Sequence, residues 1–249
     1  MTRPQPTPAT SASKAATAGS PEVPLRDLRR PALTAGIGLL VLAVLAGAAT
    51  FGAVQRLVTP GDATRTANDV LASAGYFRLG TAALLAVALL DVVVAWALRT
   101  FFAPVNAHLA TLAAWLRLSY AAVFAAAISQ LTGVLPLLRN APYVTTLGAD
   151  QRRAEAMLKI QSYEDIWHAG LALFGLHLVL IGYLAYRSGY VPRALGVLLA
   201  VAGVGYLVDT FAALLMTDYS ISLSAVTFIG EALFLVWLLV KGRTIVLDA

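Results

Sequence analysis

The chain has 249 residues, of which 59% are hydrophobic and only 12% are charged. Its mean hydropathy is +0.77, whereas about a quarter of the residues of a soluble domain are charged. This composition excludes an ordinary soluble enzyme, a disordered chain and a nucleic-acid-binding module. It predicts an integral membrane protein whose main partner is the lipid bilayer. Because the chain contains no cysteine, disulfides, iron–sulfur clusters and thiolate zinc sites are excluded as well, and no cofactor is expected.

The first thirty residues differ in composition from the rest of the chain. Residues 1–30 are rich in Thr, Ala, Ser and Pro, which predicts a disordered cytoplasmic tail. The apolar run 31–54 follows directly after Arg29 and Arg30. A cleaved signal peptide is one interpretation of this run. The apolar part of a signal peptide is only about 7–15 residues long, so the greater length favours an uncleaved first membrane span.

Five more apolar runs follow, and each is long enough to cross a bilayer. With the first run, the predicted spans are 31–54, 78–99, 108–134, 166–186, 194–216 and 224–240. Lipid offers no hydrogen-bond partner to a loose backbone, and the alternation of a barrel strand is absent, so all six are predicted to be helical. The fold class is therefore all-α: a polytopic transmembrane helix bundle of six spans that forms one domain over residues 31–243.

The distribution of Lys and Arg predicts the orientation, because cytoplasmic segments carry an excess of these residues. With the N-terminus inside, the inner segments hold ten of the 18 basic residues, the outer segments hold seven, and Arg117 lies within a span. We therefore expect both termini to be cytoplasmic. The expected location is the cell inner (plasma) membrane.

Two longer connections lie on the predicted outer side, at residues 59–76 and 135–163. The first opens on Asp62, a typical N-cap residue, and Ala67 and Val70 then follow at helical spacing. This pattern favours a short amphipathic helix lying on the bilayer. A second such helix would begin after Asp150. A solvated loop remains the alternative for both connections.

Six ionisable residues lie well inside the predicted spans. They are Asp91, Arg117, His168, His177, Asp209 and Glu231. Such residues are costly in a membrane, usually face the interior of the bundle and often pair with one another. At a rise of about 1.5 Å per residue, Asp91 lies about 12 Å and Arg117 about 13.5 Å from the inner ends of consecutive antiparallel helices. An Asp91–Arg117 ion pair is therefore predicted.

The other four residues sort into two levels by the same measure. His177 and Glu231 both lie at about 15 Å, whereas Asp209 lies at about 24 Å and His168 at about 28 Å. These residues could form a polar site that relays protons or binds a small polar solute, or they could pair to fix the register of the helices. Asp209 is the leading functional candidate, because no cation is predicted close to it apart from Arg78 at the outer rim.

Catalytic and metal chemistry find little support in the residue pattern. His168 and His177 are nine positions apart, on opposite faces of one helix, and neither belongs to a zinc-binding motif. No serine lies in a nucleophile elbow. We therefore predict no metal site and no catalytic residue, and an intramembrane enzyme is the least favoured function. A non-enzymatic multi-pass membrane protein is the first hypothesis, and a small-solute or proton-coupled transporter is the alternative. The oligomeric state stays open.

Four stretches resemble a known family in their order and spacing. They are Pro60-Gly61-Asp62-Ala63 through Phe77-Arg78-Leu79-Gly80; Pro104-Val105-Asn106 with Leu116-Arg117-Leu118; Phe174-Gly175-Leu176-His177 through Ser188-Gly189-Tyr190-Val191-Pro192-Arg193 to Asp209; and Gly230-Glu231 with Trp237 and Lys241-Gly242. Together they resemble the domain-of-unknown-function 4386 family of prokaryotic multi-pass membrane proteins. The resemblance implies no activity. It does imply that Arg78, Asp91, Arg117, His177, Asp209 and Glu231 belong to the family pattern.

Overall fold

The computed structural model describes residues 26–216, 219, 223 and 228–247 of the chain. Most of the predicted tail lies outside these residues. The last part of the tail is ordered, because Arg26–Asp27 forms strand β1 and helix α1 (Arg29–Gly47) begins two residues later. The chain then continues without a break through a π-helix (Ala48–Val54) and a 3-10 turn (Gln55–Leu57).

A short helix, α2 (Ala63–Ala72), fills most of the first predicted outer connection. Its N-cap is Asp62, whose Oδ1 accepts a hydrogen bond from the backbone N–H of Arg65 at 2.8 Å. The predicted helix and its N-cap are therefore confirmed. Its apolar side, Ala67 and Val70, is buried because it packs against other helices of the protein rather than only against lipid.

Helix α3 (Ala74–Thr132) contains both the second and the third predicted spans. It folds back at Asn106, whose φ of −161° and ψ of 105° are non-helical. Pro104 lacks the N–H that would continue the first arm, residues 74–105. Asn106 caps the second arm, residues 107–132, by accepting the Leu109 N–H at 3.0 Å. The arms are antiparallel, since Arg99 Nε donates across the fold to Thr111 Oγ1 at 3.0 Å.

The remaining elements complete the bundle. They are α4 (Val134–Leu138), a 3-10 turn (Pro142–Val144), α5 (Ala149–Arg187), α6 (Arg193–Leu215), α7 (Ile229–Val240), a 3-10 turn (Gly242–Thr244) and β2 (Val246–Leu247). The helix predicted after Asp150 exists, but it is not a separate piece. It is the first part of α5, which runs unbroken through the predicted fourth span.

Four helical stretches of the described residues are long and apolar enough to cross a membrane: Arg29–Leu57, Ala74–Leu138, Ala149–Arg187 and Arg193–Leu215. The second of them folds into two arms at Asn106, and each arm exceeds the roughly 20 residues that one crossing needs. Helix α7 is a shorter apolar helix, and residues 224–227 of the sixth predicted span lie outside the described part of the chain. The fold is therefore an all-helical bundle of membrane-spanning type, while the count of six spans stays a prediction.

The two ends of the bundle differ in what covers them. At one end β1 pairs antiparallel with β2, with Arg26 opposite Leu247 and Asp27 opposite Val246. We call this the strand end. At the opposite end α2 and α4 pack against α5, and we call this the loop end. Each half of the bundle has its own cluster of buried apolar side chains.

Helices α5 and α6 approach each other most closely through glycines. A Cβ atom placed on Gly182 would lie 2.6 Å from the backbone nitrogen of Ala200 and from the carbonyl oxygen of Gly196. A Cβ on Gly203 would lie 2.4 Å from the Gly175 carbonyl oxygen. Only residues without a side chain permit this contact, which is typical of helix pairs in membranes. The seam sets the position of α5, and α5 carries His177.

Candidate functional site

The predicted Asp91–Arg117 ion pair is confirmed. Asp91 lies on the first arm of α3 and Arg117 on the second, and the fold at Asn106 brings the two side chains together. Both Nε and Nη2 of Arg117 reach Oδ1 of Asp91, at 2.8 Å and 2.5 Å. Each residue is only 2% exposed. Removal of either partner of such a buried pair strongly destabilises the folded protein, because the remaining charge is left without compensation.

His177 joins this pair from α5 and makes it a three-residue network. Its Nε2 lies 3.3 Å from Nη1 of Arg117, and its Nδ1 lies 2.8 Å from the carbonyl oxygen of Ala113. A carbonyl oxygen can only accept and a guanidinium can only donate. The geometry therefore requires the neutral imidazole with its proton on Nδ1. The predicted alternative, a His177–Glu231 pair, is not what forms among the described residues.

Aromatic rings close over the network. The guanidinium carbon of Arg117 lies 5.3 Å from the centroid of the Phe174 ring, within cation–π range. The Phe174 ring also stacks on His177, with 5.9 Å between the centroids, and meets Tyr206 edge to face at 5.4 Å. The three members of the network thus bind one another in a buried layer between the two apolar clusters.

Glu231 lies beside this network without a full set of partners. Its carboxyl group interacts with the hydroxyl of Tyr206 and, electrostatically, with the charge of Arg117. The Oε1 atom is buried and has no hydrogen-bond partner among the described residues. Buried polar atoms are nearly always paired, so this oxygen is an exception within the buried layer.

Asp209 has a different environment from the one expected at the sequence level. Its Oδ1 accepts the Tyr219 hydroxyl at 2.6 Å and the backbone N–H of Leu223 at 2.9 Å. The carboxylate thus ties α6 to the segment that follows it. This hydrogen bond to Asp209 raises the pKa of the Tyr219 phenol, because it stabilises the protonated form.

His168 and Arg78 lie apart from the buried network. His168 is exposed and stacks on the neighbouring Trp167, with 5.4 Å between the ring centroids. Arg78 is also exposed, and none of the ion pairs found in the described part of the chain includes it. The six interior residues and Arg78 therefore do not form one site. Asp91, Arg117 and His177 converge, Glu231 adjoins them, and the other three lie elsewhere.

Several polar and aromatic side chains towards the loop end were not predicted from the sequence. Trp167 donates from Nε1 to the Tyr120 hydroxyl at 3.1 Å. The Tyr163 hydroxyl is buried without a hydrogen-bond partner among the described residues, and it faces Thr50 of the π-helix. The spacing of Tyr163 and Trp167, one helical turn apart, was the available signal. Because Tyr and Trp side chains are uncharged, an inspection for charged residues within the spans does not identify them.

Comparison with known proteins places the chain in a family. The model of the family described as domain of unknown function (DUF4386) matches residues 34–242. An uncharacterized protein from Archaeoglobus fulgidus is 32% identical over 155 residues, which cover 62% of this chain and 78% of that protein. No solved structure matches the chain significantly. All the residues of the buried network, together with Glu231, fall within the region that the family model matches, and the chain belongs to the DUF4386 family.

Proposed function

We propose that this protein is a proton-coupled carrier of a small polar solute, built from six spans in the cell inner (plasma) membrane. The apolar helices and the family support a membrane protein in general. The more specific proposal is supported by one observation: a buried carboxyl oxygen of Glu231 has no hydrogen-bond partner among the described residues.

Both ends of the chain are proposed to lie in the cytoplasm. The β1–β2 pair holds the two described ends of the chain together at the strand end, which supports an even number of crossings. Six crossings satisfy that condition. Arg29, Arg30 and Lys241 lie next to the strands, which supports a cytoplasmic strand end under the positive-inside rule.

A count of charges in the buried layer supports a role in proton exchange. Arg117 contributes one positive charge, His177 is neutral in its observed geometry, and Asp91 already makes an ion pair with Arg117. An ionised Glu231 would therefore leave the layer with a net negative charge. In a dry interior such a charge costs several kcal/mol. Binding a proton or a cationic solute at Glu231 removes this cost.

The neighbours of Glu231 fit an exchange of proton for solute. The Tyr206 hydroxyl can donate to an ionised carboxylate and accept from a protonated one. The Arg117 charge also interacts electrostatically with Glu231. Protonation of the Glu231 carboxyl therefore removes an attraction between Glu231 and Arg117. In this mechanism Asp91 and Arg117 remain paired, and Glu231 alternates between a proton and the solute.

Infrared spectroscopy of the full chain in lipid vesicles tests the proton-binding step. We expect the parent protein to show the carbonyl stretch of a protonated carboxyl group that titrates with pH, and Glu231→Gln to lose this band. Glu155→Gln is the matched control, because it makes the same substitution at an exposed position of α5. A parent protein without this band, or a band that survives in Glu231→Gln, contradicts the proposal.

Transport is tested separately with a pH-sensitive dye trapped in proteoliposomes under an imposed membrane potential. We expect faster internal acidification with the parent protein and with Glu155→Gln than with Glu231→Gln. Glu231→Asp keeps the carboxyl group and serves as a second variant if Glu231→Gln does not fold. Equal proton flux in the parent and in a folded Glu231→Gln variant would mean that Glu231 has a purely structural role.

A further inference from the structure

A groove of about 670 Å³ opens at the strand end of the bundle. It lies between the loop that joins α5 to α6 and the end of α7, and Tyr190, Arg193, Trp237 and Lys241 contribute to its lining. Its volume falls within the roughly 300–1,000 Å³ of small-molecule sites. The groove is separate from the buried network and from Glu231.

The wall formed by the α5–α6 loop is held in place by hydrogen bonds. The Tyr190 hydroxyl donates to the carbonyl oxygen of Phe101 at 2.8 Å, which ties the loop to the first arm of α3. Within the loop, Ser188 Oγ donates to the Ala185 carbonyl at 2.8 Å and accepts from the Val191 N–H at 3.0 Å. The loop therefore presents a preformed surface, and a ligand need not order it on binding.

The charged side chains that line the groove in the described part of the chain are both cations. They are Arg193 and Lys241, and none of the described lining residues is a carboxylate. Neither cation takes part in any of the ion pairs formed within the described ranges. The Arg193 guanidinium carbon lies 5.7 Å from the centroid of the Tyr186 ring, and this contact restrains the long side chain at the rim. Two cations that form no ion pair with the described residues suit an anion.

The position of the groove indicates where that anion comes from. Helix α5 ends at Arg187, α6 begins at Arg193 and α7 ends at Val240. Three apolar helices thus terminate at the level of the groove, and the ends of membrane-spanning helices are expected at the level of the lipid headgroups. Trp237 is half-buried in the wall, and tryptophan is enriched at this depth of a membrane.

We infer that the groove binds the phosphate of an anionic phospholipid headgroup, with Arg193 and Lys241 contacting the phosphate oxygens. A guanidinium and an ammonium both bind phosphate oxygens through charge-assisted hydrogen bonds. Each cation near a membrane surface strengthens the binding of anionic lipid by about fivefold. Removal of both should therefore weaken lipid retention by about tenfold or more.

Native mass spectrometry of the full chain in mild detergent tests this site. Phosphatidylglycerol and phosphatidylcholine are added in turn, and the fraction of protein that retains lipid is measured. We expect the parent protein to prefer phosphatidylglycerol and the double variant Arg193→Gln/Lys241→Gln to lose this preference. Arg56→Gln/Arg139→Gln is the matched control, since it removes the same charge from exposed positions towards the loop end. It should retain phosphatidylglycerol within about twofold of the parent.

Two results would overturn the inference. One is retention of phosphatidylglycerol by the groove variant at the level of the parent. The other is found by adding inorganic phosphate: if it displaces phosphatidylglycerol at millimolar concentration, the groove is a site for a soluble phosphate compound and not for lipid. Unequal loss in the single variants Arg193→Gln and Lys241→Gln would support the site and show which cation contributes more.

Discussion

The interior charges of the bundle fall into two regions with opposite environments. In the middle layer Asp91, Arg117 and His177 are each no more than 2% exposed, and they are bound to one another across two helices. Nearer the loop end, Asp209 and His168 are more exposed. Asp209 accepts hydrogen bonds from Tyr219 and Leu223, and the His168 ring stacks on the adjacent Trp167. The comparison shows that an ionisable residue in an apolar run can be accommodated by compensation within the core or by contact with the nearest connecting segment.

The largest effect is expected from breaking the compensation in the middle layer. Arg117→Leu would leave the Asp91 carboxylate buried without its cation, which costs about 3–5 kcal/mol of unfolding free energy. Denaturant unfolding of the purified protein in detergent measures the loss. The double variant Asp91→Leu/Arg117→Leu is the matched control, because replacement of both charges should recover most of the stability. If the double variant is no more stable than Arg117→Leu, the ion pair is not the cause.

A smaller effect is expected at the third member of the network. His177→Phe keeps an aromatic ring but removes the hydrogen bonds to the Ala113 carbonyl and to Arg117 Nη1. The buried groups left unpaired should cost about 1–3 kcal/mol of unfolding free energy, measured in the same way. A variant as stable as the parent would show that His177 is only packed against Arg117 and does not bind it.

The smallest effect is expected in the region near the loop end. Asp209→Ala removes the acceptor for the Tyr219 hydroxyl and the Leu223 N–H, and we expect a loss of about 1 kcal/mol. Asp209→Asn keeps an acceptor oxygen and should lie within about 0.5 kcal/mol of the parent. A loss at Asp209→Ala as large as that of Arg117→Leu would remove the distinction between the two regions.

The depth of a residue along its helix could be predicted from the sequence, but its direction around the helix could not. Asp91 and Arg117 were predicted to pair because a rise of about 1.5 Å per residue places them at one level on consecutive helices. The same measure placed His177 level with Glu231. The structure joins His177 to Arg117 instead, because the glycine seam with α6 and the contact with α3 set the rotation of α5.

The partners of Asp209 illustrate a second limit of prediction from sequence. In the sequence, Arg78 on another helix was the nearest possible cation for Asp209. The observed donors are instead a tyrosine hydroxyl and a backbone N–H of residues that follow α6 in the chain. A hydroxyl and an amide carry no net charge, so a search for opposite charges overlooks them. Only the positions of Tyr219 and Leu223 in the structure reveal them.

By itself the sequence determined the class of the protein and the location of its helices. The burial of apolar side chains and the need to satisfy the backbone in lipid depend on composition and periodicity, which can be read along the chain. The tertiary structure decided which charges meet, that Glu231 keeps one buried oxygen without a partner among the described residues, and that two cations share a groove at the strand end. These features depend on the rotation and packing of helices that are distant in the sequence, and such packing is decided by contacts that no single helix contains.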